Sequence, residues 1–424
     1  MTLRMMLVCG LGAAALAGCK PEGGTGGDGQ RAAVRSEAYC HRADMAAALR
    51  QTVLVIDERA VKAAEPAEMR TVNAKLFELV MGLGDPVAGL ESGAMAPRER
   101  LTIMIAPADG AAPRVVFTGC VPGLSAAEMA EGRAGRSAVE NAGSDFFGAG
   151  ADKKVEEAAR AFRLAVQGAL VRMGAEPQSG GLRPGGFEQG SLLSSLKATR
   201  RLTSDEDGMP RVFLFTDLSI FPSGGERSEA RTAGFAAARQ AGVALGGAEV
   251  YLVGANGPGP AVARDYAEAF FLGSQGDVRS WGGVAFNALT AAPVEVRTYV
   301  GEIAYPFDRF PARLIVGRDA QGRLVNSWLI TRTDGAWATP VTGALTCRDE
   351  VCRLLGDEGG LAQAWSIDPD PEPEFDLNLP LGGLREIEAE VTPDRAEGFV
   401  SDPIISHFDG APGVRTLNFN LNVQ

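Results

Sequence analysis

The sequence is poor in the residues that most enzymes use for acid–base chemistry. Only two histidines, His41 and His407, occur in 424 residues. Neither a Gly-x-Ser-x-Gly elbow, a phosphate loop nor a His-Glu-x-x-His motif is present, and no Gly-x-Gly-x-x-Gly follows a strand. These absences argue against a serine hydrolase, a nucleotide-binding enzyme and a zinc protease. We therefore predict that the protein is not an enzyme and needs no cofactor.

Positive charge is also scarce. The chain has 41 basic and 53 acidic residues, a net charge of −12. Binding to nucleic acid needs a basic face that neutralises phosphates, and the sequence offers none. No internal repeat is present. With 46% hydrophobic residues the chain can nevertheless bury substantial cores, and its length allows two or three domains.

The amino terminus has the pattern of a targeting segment. Arg4 precedes an apolar stretch, Met5 to Leu16, that is too short to span a bilayer. The stretch ends in Leu16-Ala17-Gly18-Cys19, which resembles the lipobox of bacterial lipoproteins. The resemblance implies cleavage before Cys19 and attachment of palmitate-like acyl chains, which anchor stably when there are several. The alternative is an ordinary secretory signal followed by an incidental cysteine.

This pattern divides the start of the chain into a signal peptide, residues 1–18, and a lipidated cysteine with a glycine-rich flexible tether, residues 19–39. Removing the signal takes away one basic residue, so the net charge becomes 40 − 53 = −13. Lys20 follows the cysteine, where aspartate would be the usual signal for retention in the inner membrane. We therefore expect a cell-envelope location, anchored by lipid in the outer membrane and facing the periplasm.

Four further cysteines remain after Cys9 and Cys19 are set aside. An even number in an exported protein suggests two disulfide bonds, although four cysteines allow three pairings. Separation along the chain favours a local pair, Cys347–Cys352, and a long-range pair, Cys40–Cys120. A metal site is the competing interpretation, but it needs thiolates at closer spacing and usually histidine.

Residues 40–292 have the alternating pattern of an α/β domain with a doubly wound, mostly parallel, Rossmann-like sheet. The run Thr52 to Ile56 is apolar or β-branched and ends in Asp57, as a buried central strand does. A second run, Val212 to Thr216, ends in Asp217. Further predicted strands are 101–105, 115–118 and 249–253, the first two forming an antiparallel hairpin. Predicted helices cover 66–83, 155–173, 228–240, 261–271 and 281–289, and another begins at Ser191.

This order of elements resembles the von Willebrand factor A domain. The resemblance rests on the strand ending in Asp57, the antiparallel hairpin, Phe215-Thr216-Asp217 and Val250 to Gly254. It implies that the predicted third strand runs antiparallel to the first. Cys120 would then lie at the same end of the sheet as Cys40, which is consistent with the long-range disulfide.

Many von Willebrand A domains hold a divalent cation with an Asp-x-Ser-x-Ser loop, a threonine and a second aspartate. Here the loop reads Asp57-Glu58-Arg59-Ala60-Val61, so arginine and valine replace both serines. Ser191 stands near the expected threonine, and Asp217 matches the last position. Magnesium prefers oxygen ligands, and only Asp57, Ser191 and Asp217 would supply them.

We predict that the Arg59 guanidinium forms an internal salt bridge in place of the cation, so that no metal is bound. Asp57, Glu58, Arg59, Ser191 and Asp217 are then candidate residues for binding a partner. The alternative is that the two aspartates only cap loops at the strand ends. The sequence thus favours a scaffold that binds a protein partner; a metal-dependent adhesin and an envelope hydrolase using the two carboxylates are the other hypotheses.

Residues 293–424 change to a period of two. Alternating segments occur at 294–300, 312–316 and 326–331, and further candidates are 375–379, 385–391 and 415–423. Short strands separated by turn signals predict a smaller, antiparallel β-rich domain, either a sandwich or a barrel. Cys347 and Cys352 would then close a hairpin loop. The alternating acids and prolines at 368–374 fit a solvated linker better than a calcium loop.

Overall fold

The structure is a computed structural model that describes residues 33–41, 48–62, 68–84, 95–123, 151–175, 187, 191–202, 208–286, 289–304, 309–319, 321–331, 337–348, 350–358, 386–405 and 412–424. The predicted signal peptide, Cys19 and most of the predicted tether lie outside these residues. So does most of the stretch between 121 and 152, where the sequence predicts one or two short helices. The predicted strand at 375–379 also lies outside them.

A seven-stranded mixed sheet forms the first part of the protein. Its strands are β1 (Val34–Ser36), β2 (Arg50–Asp57), β3 (Arg100–Ala106), β4 (Arg114–Cys120), β5 (Met209–Thr216), β6 (Ala248–Gly254) and β7 (Gly276–Gly282). Their order in the sheet is β1-β4-β3-β2-β5-β6-β7. The β3–β4 pair is antiparallel, and β3, β2, β5, β6 and β7 run parallel to one another. The predicted fold class is confirmed.

Helices cover both faces of this sheet. They are α1 (Glu58–Lys62), α2 (Met69–Gly84), α3 (Ala151–Ala175), α4 (Ser191–Leu202), α5 (Arg227–Ala241) and α6 (Ala261–Gly273). Because successive side chains of a strand point to opposite faces, Leu54 and Ile56 pack against α2 and α3, whereas Val53 and Val55 face the side covered by α4, α5 and α6. Burial on both faces explains why β2 is apolar throughout its centre.

Two edge strands differ from the sequence prediction. Residues 281–289 were expected to be helical, but Trp281 belongs to β7, residues 283–285 are irregular, and Phe286 has 3-10 conformation. Strand β7 reads Gly-Asp-Val-Arg-Ser-Trp-Gly and is half exposed, so it lacks the apolar run of a central strand. Strand β1 pairs in parallel with β4, so the sheet includes three residues of the stretch predicted as tether.

The long-range disulfide Cys40–Cys120 joins the segment before β2 to the end of β4, with a Cα–Cα distance of 5.1 Å. Arg98 reinforces this connection. Its Nε and Nη2 atoms donate hydrogen bonds to the carbonyl oxygens of Tyr39 and Cys40, each at 3.0 Å. The predicted pairing is confirmed, and the bridge closes a loop of 80 residues.

The second part of the protein is a closed antiparallel barrel of eight strands. They are β8 (Glu295–Ala304), β9 (Arg309–Arg318), β10 (Ser327–Thr331), β11 (Trp337–Arg348), β12 (Val351–Glu358), β13 (Glu386–Val391), β14 (Arg395–Ile405) and β15 (Pro412–Val423). Each strand pairs with the next, and β15 returns to β8. The barrel therefore has no open edge, which decides between the two predicted architectures.

The bounds of three barrel strands, β11, β12 and β14, were not predicted, although the hairpin at Cys347 and Cys352 was. Strand β11 contains Pro340 and Gly343, two residues that normally count against a strand. Gly343 has φ of 135° and lies so close to β12 that an added Cβ would be 2.2 Å from the Leu355 carbonyl oxygen. The predicted hairpin disulfide Cys347–Cys352 joins β11 to β12, where the two cysteines are direct register partners.

The barrel wall packs against the α/β part through outward-facing side chains of β9 and β10. Trp328 is fully buried there, and Gly247, at φ of 87°, lies against its indole ring. The apolar residues of this contact are Met209, Phe235, Ala269, Leu272, Ile315, Trp328 and Ile330. Burial of a tryptophan and six further apolar side chains makes this contact a small core in its own right.

Candidate functional site

The carboxyl ends of three adjacent parallel strands lie together at one edge of the sheet. Strand β2 ends at Asp57, β5 at Thr216 and β6 at Gly254, and β5 pairs with both of its neighbours. In parallel α/β sheets this edge is where the loops form a crevice for ligands. The loops that follow these strands therefore define the candidate site.

Asp57 is fully buried at this edge, and both of its carboxylate oxygens are hydrogen-bonded. Oδ1 accepts from the Arg59 backbone N–H at 3.1 Å and from Arg59 Nε at 3.2 Å. Oδ2 accepts from the Thr216 hydroxyl at 2.8 Å and has a longer contact with Arg59 Nη2 at 3.4 Å. A buried carboxylate needs such partners, because an unpaired charge in the interior is costly.

Arg59 reaches back to Asp57 because α1 begins directly after β2. Only Glu58 separates them, and the first helical turn brings the guanidinium over the carboxylate that ends the strand. The Arg59 side chain is 13% exposed, so the salt bridge is largely shielded from water.

The other candidate residues of the first loop and of α4 have separate partners. Glu58 accepts a hydrogen bond from the Ala108 backbone N–H at 2.9 Å, and Lys62 Nζ lies 2.8 Å from its other oxygen. The buried Ser191 hydroxyl donates to the Pro107 carbonyl oxygen at 2.5 Å. Both contacts fix the loop that follows β3. Glu58 and Ser191 thus hold a loop in place and do not converge on Asp57.

Asp217 is the candidate carboxylate that faces outward. Its Oδ1 caps the 3-10 turn Leu218–Ile220 by accepting from the Ser219 backbone N–H at 3.0 Å. Its Oδ2 lies 3.5 Å from the amide nitrogen of the exposed Asn256, which follows β6. The loops after β5 and β6 therefore meet at Asp217, and they present this carboxylate and this amide to solvent.

Lys75 is a residue of the edge that the sequence analysis did not identify. It projects from α2, and its ammonium donates to the carbonyl oxygens of Ala255 at 3.1 Å and Gly254 at 3.4 Å. These carbonyls lie at the end of β6. The separation of about 180 residues leaves no local signal in the sequence for this contact.

The residues present do not fit a divalent cation. Both oxygens of Asp57 accept hydrogen bonds, and the Ser191 hydroxyl points its proton at a carbonyl. A magnesium site needs about six oxygens in octahedral array, most of them free to coordinate. Within the described residues, no group of three or more His, Cys, Asp or Glu side chains is placed to hold a metal ion.

A second polar cluster lies at the opposite, amino-terminal end of the strands and was not predicted. The buried Glu99 carboxylate accepts from Arg50 Nε at 3.1 Å, Arg50 Nη2 at 3.0 Å and Arg211 Nη2 at 2.9 Å. It also accepts from the Thr52 hydroxyl at 2.5 Å and the Ala96 backbone N–H at 2.8 Å. We call Arg50, Thr52, Glu99 and Arg211 the Glu99 cluster.

The charges of the Glu99 cluster depend on one another. Burial opposes ionisation of Glu99, but the charges of Arg211 and Arg50, together with their hydrogen bonds, hold its pKa below the ordinary value. Burial and the charge of Arg50 lower the pKa of Arg211 to about 10. Arg50 also donates to the Thr290 carbonyl oxygen at 2.6 Å, which fixes the segment that leads into the barrel. The cluster is therefore a structural connection between the sheet and that segment.

Helices in the described part of the chain are too short or too polar to cross a membrane.

The chain was compared with protein-family models, with curated proteins and with solved structures. No protein-family model matches it, and no curated protein matches it. Among the solved structures that match is a "von Willebrand factor type A from Catenulispora acidiphila", with 11% sequence identity and a TM-score of 0.30. The match covers 88% of this chain and 66% of that chain, so this chain spans slightly under two thirds of its length.

Proposed function

We propose that the protein is a non-enzymatic binding protein of the cell envelope, anchored by lipid on Cys19. Its protein partner docks on the loops at the carboxyl edge of the sheet. The observation that carries this proposal is the Asp57–Arg59 salt bridge, which satisfies the buried carboxylate from within the protein. What the edge offers to a ligand is then the outward-facing Asp217 and Asn256, together with the exposed backbone of their loops.

The chemistry of these groups favours a partner with a basic side chain. Asp217 is a carboxylate whose Oδ2 has only a long contact with the Asn256 amide, so a lysine or arginine can pair with it. The loop after β6 is held in shape by the Trp281 indole, which donates to the Pro258 carbonyl oxygen. A preorganised loop loses less entropy when it binds, which favours recognition at this place.

Site-specific photo-crosslinking in the native host tests the docking surface. A photoreactive amino acid at position 256 should give one defined crosslinked product, and the charge reversal Asp217→Arg should abolish it. The matched control carries the same amino acid at Glu302, an exposed position on the barrel. Equal crosslinking from both positions, or a product unaffected by Asp217→Arg, would refute docking at this edge.

Cation binding is tested separately. Titration calorimetry of the wild type with Mg²⁺, Mn²⁺ and Ca²⁺ should show no saturable heat. The double variant Arg59→Ser/Val61→Ser, which restores both serine positions of the motif, should bind Mg²⁺ if Arg59 is what displaces it. A saturable signal in the wild type that Asp217→Ala removes would favour the metal-dependent adhesin instead.

The lipid anchor is tested by metabolic labelling with radioactive palmitate. Label should appear on the wild type and be absent from Cys19→Ser, which should also leave the membrane fraction. Cys9→Ser is the matched control, because that cysteine belongs to the predicted signal peptide. Persistent label on Cys19→Ser would contradict lipidation at this residue.

A further inference from the structure

Asn256 is the only asparagine of the chain that is followed by glycine. It lies exposed in the turn after β6, and Gly257 has φ of 109°, a conformation that favours glycine. Asparagine is chemically one of the less durable residues, because its carboxamide can react with the backbone nitrogen of the next residue. Glycine has no side chain to hinder that approach. Sequence and exposure together therefore single out this pair as a site for intramolecular chemistry.

Both reacting groups of this pair are weakly held. The Gly257 N–H donates to the Gly254 carbonyl oxygen at 3.5 Å, and the Asn256 amide nitrogen lies 3.5 Å from Asp217 Oδ2. These distances exceed the usual range of about 2.7–3.2 Å for such hydrogen bonds, so both contacts are weak. The carboxamide can therefore rotate toward the Gly257 nitrogen, and this nitrogen can lose its proton to base in the solvent.

A second asparagine provides an internal comparison. Asn326 is followed by Ser327, another small residue, but the two side chains are only 9% and 2% exposed. Ser327 begins the buried strand β10, and its hydroxyl forms hydrogen bonds with the backbone of Gly317. A reaction of Asn326 would therefore require local unfolding, whereas a reaction of Asn256 requires only the movement of an exposed side chain.

We propose that Asn256 is a modification site at which the amide is converted into a carboxylate without an enzyme. The Gly257 nitrogen forms a bond to Cγ of Asn256, the Cγ–Nδ2 bond breaks, and ammonia leaves with the proton that the Gly257 nitrogen has lost. Water then opens the resulting five-membered ring and returns a proton to the nitrogen. Opening at Cγ gives aspartate, and opening at the backbone carbonyl carbon gives isoaspartate. Water is the only co-reactant, and no oxidant is needed.

The product changes the charge of the partner-binding edge. Asp217 Oδ2, which lies near an amide nitrogen before the reaction, then faces a second carboxylate. Two like charges at this distance repel each other, and a cationic group between them relieves that repulsion. This consequence rests on the proposed docking of a basic partner at Asp217: modification of Asn256 strengthens that docking, so the edge gains affinity as the protein ages.

Isotope labelling tests the reaction without any partner. The folded full-length protein is kept in water enriched in oxygen-18, at neutral and at mildly alkaline pH, and its peptides are then analysed by mass spectrometry. The peptide that contains Asn256 should lose one ammonia and gain one oxygen-18, faster at the higher pH because the attacking nitrogen must be deprotonated. Labelling of Asn326 should be at least about tenfold slower, because it depends on local unfolding.

Asn256→Gln is the matched control for the reaction. It keeps the amide but would have to form a ring of six atoms, which is slower, so position 256 of this variant should remain unlabelled. Absence of oxygen-18 from position 256 in the wild type, or equal labelling of Asn256 and Asn326, would overturn the proposed modification.

Photo-crosslinking in the native host tests the effect of the charge. The photoreactive amino acid is placed at the exposed Ser219, which leaves position 256 free. Asn256→Asp, which mimics the product, should give about two- to fivefold more crosslinked partner than Asn256→Gln, as expected for one additional exposed ion pair. Equal yields from these two variants would overturn the effect of the charge. No product in either variant would refute the docking surface itself and with it that effect, whereas the modification of Asn256 is decided by the labelling alone.

Discussion

Removing the charge of Glu99 is the perturbation for which the structure gives the firmest magnitude. Glu99→Gln keeps the size of the side chain but leaves the positive charges of Arg50 and Arg211 with no carboxylate at the centre of the cluster. The Gln amide group also directs two N–H donors toward groups that are themselves donors. Breaking a buried ion pair in this way costs about 3–5 kcal/mol. The free energy of unfolding of a typical domain is only about 5–15 kcal/mol, so this loss is a large part of its stability.

The matched control is an exposed ion pair of the same type. Arg353 and Glu388 pair on the outer wall of the barrel, with side chains 64% and 40% exposed. Because water already solvates both groups, Glu388→Gln should cost no more than about 1 kcal/mol. Urea unfolding at pH 7, followed by circular dichroism with both disulfides intact, gives the two free energies. A loss of less than 1 kcal/mol for Glu99→Gln would refute the reasoning.

The dependence on pH gives an independent check. The folded-state pKa of Glu99 lies below the ordinary value of 4.5, so its contribution to stability is fully present above about pH 4.5. That contribution is lost as the pH falls through the folded-state pKa. The wild type should therefore lose more stability than Glu99→Gln between pH 5 and more acidic conditions. Parallel stability curves for the two proteins would contradict this assignment.

Three further predictions follow from the same structure. Burial raises the pKa of Asp277, so the ionised carboxylate lowers the stability of the fold as the pH rises above the ordinary pKa of 3.8. Asp277→Asn should therefore be less destabilising at pH 7 than Glu99→Gln. A greater loss of unfolding free energy for Asp277→Asn would contradict this. Replacing Cys40 and Cys120 by serine opens an 80-residue loop and should lower the free energy of unfolding by about 4.5 kcal/mol. Replacing Cys347 and Cys352, which close a loop of five residues in the barrel, should lower it by about 2 kcal/mol; unfolding in urea measures both. Trp328→Ala should cost about 3–5 kcal/mol and increase proteolysis between the barrel and the sheet; unchanged proteolysis would refute a role in holding them together.

The central strands and the two disulfides could be predicted from the sequence, because an apolar run is a local signal and four cysteines allow only three pairings. A run such as Val53 to Ile56 is apolar on both faces only when it is buried on both faces. The Asp57–Arg59 contact was also within reach, since two residues at the junction of a strand and a helix can meet only in a few ways. Edge strand β7 was not predicted, because a half-exposed strand has few apolar residues to identify it in the sequence.

Local sequence by itself therefore determined the α/β alternation, the β-rich second half and the charge that faces Asp57. Only the tertiary structure decided which distant polar groups meet. Arg211 lies 112 residues from Glu99, and Lys75 lies 180 residues from Ala255. Closure of the barrel likewise depends on β15 pairing with β8, two strands at opposite ends of the β-rich half. Such contacts produce no periodic pattern in the sequence. They form only when the whole chain folds and buries its apolar residues, because that burial brings distant segments together.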